Sequence, residues 1–145
     1  MAKSKSIGFT DEERAAMQER ARELKAEARV SKSKAEGEKA VLVAIAKMGK
    51  ADQVMAKRIH KIVTKTAPAL MPKTWYGMPA YADKSGKVIC FFQAASKFKV
   101  RYATFGFQPD AKLDAGNMWP ASFAINKLTK AEEIKITALV KKAVG

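Results

Sequence analysis

Apolar positions recur at helical spacing through the first half of the chain and change to strand spacing near its midpoint. Thr10 to Glu13 forms a capping box, in which hydroxyl and carboxylate each satisfy the other residue's amide, so a helix is predicted from there to about Arg29. Its apolar stripe is Met17, Ala21, Leu24 and Ala28, narrow and flanked by charges of both signs, which predicts a loosely docked or partner-facing helix. Ser31 to Gly37 is polar and glycine-bearing and reads as a hinge. From Lys39 a helix carries Val41, Leu42, Ile45 and Met48 on one face and stops at Gly49. The next, from about Ala51 to Thr66, buries Met55, Ile59, Ile62 and Val63 and must end before Pro68.

The period then shortens. Trp75 to Ala82 is aromatic-rich but holds Gly77 and Pro79, which predicts an edge strand. Asp83 to Gly86 is a turn, and Val88 to Phe92 is apolar on both faces, as a buried central strand requires. Lys97 to Phe105 alternates, with Lys97, Lys99 and Arg101 on one face and Phe98, Val100 and Tyr102 on the other. Pro109 to Asn117 reads as a loop or short helix, and Ala121 to Ile125 as a further strand. A second capping box, Thr129 to Glu132, opens a closing helix that turns Ile136, Leu139, Val140 and Ala143 inward. Helices first, antiparallel strands next and a helix last spell an α+β fold, a small antiparallel sheet with helices packed on one face. The predicted organisation is a charged helical extension and hinge over residues 1–38 and a compact domain over 39–145.

Charge changes this picture most. Residues 1–39 hold ten Lys/Arg against eight Asp/Glu, a net of +2, whereas residues 40–145 hold eighteen against six, a net of +12. The basic field therefore belongs to the compact domain, and it favours an acidic protein or nucleic acid as partner or gives solubility with general polyanion affinity. The apolar run Val41 to Ala46 falls far short of the roughly 20 residues that span a bilayer. Asp11, Glu12 and Glu13 stand where a signal peptide needs apolar residues, so no membrane association is expected. The single cysteine, Cys90, excludes an internal disulfide and suits the reducing cytoplasm.

Candidate chemistry is sparse. His60 is placed one position beyond the apolar face of its helix, a boundary side chain rather than a base. Cys90, amid Val88-Ile89-Cys90-Phe91-Phe92, is expected to behave as a small hydrophobe. There is no Walker loop, no dinucleotide glycine pattern, no nucleophile elbow and no Cys/His metal spacing, so a non-enzyme is expected. Two basic arrays remain: Lys57, Lys61 and Lys65 at every fourth helical position, and the row Lys97, Lys99, Arg101. They read as an anion or nucleic-acid face or as solvated outer faces. Trp75, Tyr76, Met78, Pro79, Tyr81 and Trp119 supply aromatic and apolar surface for a ligand pocket or for the core and edge of a small sheet.

Several of these stretches together resemble a known family. They are Ala67-Pro68, then Trp75-Tyr76-Gly77-Met78-Pro79-Ala80-Tyr81, the hairpin Gly86-Lys87-Val88-Ile89-Cys90-Phe91-Phe92, the segment Lys97-Phe98-Lys99-Val100-Arg101-Tyr102, and Leu128-Thr129-Lys130-Ala131-Glu132-Glu133. With them residues 39–145 resemble the YdhG-like bacterial domains of unknown function, a family with frataxin-like members. The resemblance implies an antiparallel sheet covered by helices and, for some members, iron handling in the cytosol. It names no iron ligand in this chain, and no cofactor is evident from the residues. The expectation is a small cytoplasmic, non-catalytic binding domain, monomeric or weakly dimeric, with a chaperone-like iron role implied by resemblance. The alternative is nucleic-acid or polyanion binding through the basic face of residues 40–145.

Overall fold

A computed structural model of the chain describes residues 9–30 and 34–145, with side chains at 9–25 and from 34 onward. Among these, five helices and five strands form an α+β fold: α1 (Asp11–Val30), α2 (Lys34–Ala46), α3 (Lys50–Thr66), β1 (Met71–Trp75), β2 (Met78–Ala82), β3 (Val88–Gln93), α4 (Ala95–Phe98), β4 (Ala103–Phe107), β5 (Ser122–Ile125) and α5 (Lys130–Ala143). The sheet is a meander in the order β1-β2-β3-β4-β5, every neighbouring pair antiparallel.

Alternation along the strands sends Tyr81, Cys90, Phe92, Phe105 and Phe107 to one face. There they meet Val41 and Ile45 of α2, Ile59 and Val63 of α3, and Ile136 and Val140 of α5 in one core. Both expected capping boxes form: Thr10 with Glu13, and Thr129 with Glu132. Burial in this core pushes the Cys90 thiol and the Tyr81 hydroxyl well above their ordinary ranges.

Four expectations need correction. The polar stretch read as a hinge is partly helical, since α2 begins at Lys34; residues 31–33 lie outside the described residues. Gly37 is small because α2 lies against β1: an added Cβ would stand 2.0 Å from the Pro72 carbonyl oxygen. Trp75 to Ala82 is not one edge strand but the end of β1, a two-residue turn and all of β2, which lies inside the sheet. Pro79 is tolerated there because it pairs with Thr74 and precedes the Ala80–Ala82 stretch that pairs with β3. Lys97 to Phe105 is not a strand either, because Ala95–Phe98 is a helical turn and Lys99 is left-handed at φ 54°. The strand starts only at Ala103. Finally, His60 is no boundary residue but 8% exposed.

Candidate functional site

The connection between β1 and β2 is Tyr76-Gly77, with φ of 52° and 77°. Two successive positive φ values mark the type I′ hairpin turn, whose twist matches that of the flanking strands. The turn presents two adjacent backbone N–H groups outward, and both donate to one carboxylate. Tyr76 N lies 2.9 Å from Glu23 Oε1 and Gly77 N 2.8 Å from Glu23 Oε2. A hydrogen bond to an ionised acceptor is about twice as strong as a neutral one, and solvent screens it where the contact is exposed.

Beside the turn, α4 supplies two cations. Asp52, buried in the first turn of α3, accepts Ser96 N at 3.0 Å and Ser96 Oγ at 2.6 Å, satisfying an amide that a four-residue helix leaves open. That anchor positions Lys97, whose Nζ lies 2.7 Å from Glu19 Oε1. Lys99, on the left-handed cap of α4, places Nζ 2.8 Å from Glu12 Oε2. The Lys99 ammonium beside Glu12 holds that carboxyl below its usual range, and the same bond raises Lys99. Gly77 completes the arrangement, since a Cβ there would fall 2.3 Å from Glu19 Oε1 and 2.7 Å from Lys97 Nζ.

All three carboxylates belong to α1, and this inverts the reading of that helix. Glu12, Ala16, Glu19, Arg20 and Glu23 are its less exposed residues among those whose side chains are described, with Ala16 at 4%. Met17 and Leu24, the large members of the expected apolar stripe, are 38% and 52% exposed. The helix docks by its acids and leaves its larger apolar groups in solvent. Arg20 reinforces the contact, 3.6 Å from Glu23 Oε1 and 5.7 Å from the Tyr76 ring centre. A cleft of about 690 Å³ lies alongside, between α1, α2, the turn and α4, with Val43, Ala44 and Met48 among its apolar lining and Lys39 and Lys47 among its charged lining.

The residues considered as a ligand pocket are spread over the fold. Register puts Trp75 and Met78 on one sheet face and Pro79 and Tyr81 on the other, while Trp119 packs on the core from the loop before β5. Trp75 leans on Phe91 at 5.3 Å and on the Tyr76 ring at 5.1 Å. None of these six lines the cleft. Of the basic arrays, Lys57, Lys61 and Lys65 are exposed along α3 as expected. Lys97, Lys99 and Arg101 do not form a row: the two lysines meet α1, and Arg101 stacks 5.1 Å from the Tyr102 ring centre.

A second polar group sits inside the core. His60 Nδ1 lies 2.8 Å from the Tyr81 hydroxyl and Nε2 lies 3.2 Å from Glu38 Oε2. A carboxylate only accepts, so Nε2 donates to Glu38, while Nδ1 shares a hydrogen bond with the Tyr81 hydroxyl. The network ties α2, α3 and β2 together. Among the described residues no three His, Cys, Asp or Glu side chains group as a metal ligand set, and no helix is long and apolar enough to cross a membrane. No described protein family, curated protein or solved structure matches the chain.

Proposed function

We propose that this chain is a small, non-catalytic, cytoplasmic binding domain that recognises carboxylates of an acidic partner at the Tyr76–Gly77 turn, Lys97 and Lys99. The observation that carries this reading is the two-point hold of the Glu23 carboxylate by the adjacent Tyr76 and Gly77 amides. Backbone donors preorganised by a turn bind an anion without the entropy cost of ordering a flexible side chain. The cations beside them, in a region of net +12, attract acids at long range. The groups assembled here are donors and ammonium ions, which suits binding rather than proton transfer.

The test uses the full chain with its own helix unlatched by Glu12→Gln, Glu19→Gln and Glu23→Gln, and fluorescent poly-L-glutamate as probe. The unlatched chain binds the probe about tenfold tighter than the native chain, and adding Lys97→Gln and Lys99→Gln removes at least that gain. Affinity that ignores Lys97 and Lys99 would contradict the site and leave only general charge.

A second reading, nucleic-acid or polyanion binding, is favoured by Lys57, Lys61 and Lys65, which are exposed on one helical face. Charge reversal at Lys57 and Lys61 flattens the salt dependence of DNA binding if this stripe is used. Iron handling rests on the resemblance to YdhG-like domains, and no residue here is assigned to it.

A further inference from the structure

We infer that the partner presents an acidic α-helix with carboxylates at positions i, i+7 and i+11 and a small residue at i+4, and that α1 is its built-in competitor. This rests on the carboxylate-binding reading above and extends it to the shape of the ligand. The pattern is that of Glu12, Ala16, Glu19 and Glu23. At 3.6 residues per turn these four positions fall within a strip about 60° wide, and at 1.5 Å per residue the outer carboxylates stand about 16 Å apart along the axis. Lys99, Lys97 and the Tyr76–Gly77 amides therefore form a ruler that measures helical spacing rather than mere negative charge.

Two contacts make the ruler shape-selective. Ala16 is buried where α1 meets the domain, and a larger side chain at that position would hold the helix away. Gly77 leaves room for the Glu19–Lys97 pair directly over the turn. A nucleic-acid backbone has phosphates but nothing corresponding to the small residue at i+4, so the observations favour a protein helix.

The same contacts make α1 displaceable. It is held mainly by charged groups while Met17 and Leu24 stay exposed, so its attachment gains little from apolar burial and weakens with salt. Its tether gives it a high effective concentration, so an external helix competes only when it pairs better or when α1 is unlatched.

The experiment titrates two peptides into the unlatched full chain: residues 9–30 in native order, and an isomer in which Glu19 trades places with Gln18 and Glu23 with Ala21. The native-order peptide binds about tenfold tighter than the isomer and binds the native chain more weakly than the unlatched one. Equal affinity for both peptides, lost in both with Lys97→Gln and Lys99→Gln, would overturn the helical ruler and leave carboxylate binding standing. If neither peptide nor poly-L-glutamate binds, both readings fall. Displacement of the native-order peptide by an equal charge of duplex DNA would assign the site to nucleic acid instead. Concentration-dependent dimers of the native chain, abolished by Glu23→Gln, would make the occupant a second copy's α1 and overturn a foreign partner.

Discussion

Gly37 and Pro72 are in backbone contact, so close that a methyl group on Gly37 would stand 2.0 Å from the Pro72 carbonyl oxygen. This pair sets how near α2 lies to β1. Gly37→Ala gains up to about 1 kcal/mol of helix propensity but must push the helix off the strand, at about 1–3 kcal/mol or more. The net expectation is a loss of stability, read as a lower denaturant midpoint with unchanged slope. A stabilised variant would show that α2 shifts freely.

Tyr81→Phe removes the hydroxyl that satisfies His60 Nδ1 in the core. A buried polar nitrogen left without its partner costs about 1–3 kcal/mol, so equilibrium unfolding in urea should show a loss of that size. A neutral result would mean that water replaces the hydroxyl.

Docking of α1 depends on pH through Glu12 and Lys99. Glu12 is depressed by Lys99, so its contribution is present above its ordinary value of 4.5 and is lost as pH falls through the lower folded value. Lys99 is raised by Glu12, so its contribution is present below 10.5 and is lost as pH rises through the higher folded value. The Glu12 and Lys99 resonances should therefore stay constant across neutral pH and move only in acid and alkali. Movement between about pH 6 and 8 would point to a histidine and contradict this assignment.

A chain starting at Lys34 loses α1 and should still unfold cooperatively, with a Tm within about 5 °C of the full chain. One starting at Lys39 also loses the Lys34 bond to the Pro68 carbonyl, the Gly37 contact and the Glu38–His60 bond, and should be less stable by at least about 1 kcal/mol. Calorimetry of both chains decides it. Aggregation of the Lys34 chain would show that α1 covers core surface.

The fold was largely legible because its signals are local. The capping boxes at Thr10 and Thr129, the stop before Pro68 and the apolar run Val88 to Phe92 each act within a few residues. What was missed depends on partners distant in sequence. Lys97 to Arg101 alternates like a strand, yet Asp52, more than forty residues earlier, caps Ser96 and makes a helical turn preferable. Gly37 resembles a hinge residue until Pro72 stands against it. The carboxylate site stayed hidden because its main donors are backbone amides, and because α1 docks by its acidic face, opposite to what an apolar stripe announces. The one local clue was Gly77 in a two-residue connection, the position of a hairpin turn.

The most direct test of the carboxylate site compares two glycine substitutions in the unlatched chain, with fluorescent poly-L-glutamate as probe. Gly77 and Gly86 both have left-handed φ, 77° and 89°, so alanine strains each backbone similarly. In the native chain an added Cβ on Gly77 would stand 2.3 Å from Glu19 Oε1, the place a bound carboxylate takes, whereas one on Gly86 meets nothing within 4 Å. Gly77→Ala is expected to weaken binding about tenfold or more while Gly86→Ala leaves it unchanged. Equal binding by the two variants would contradict the carboxylate site.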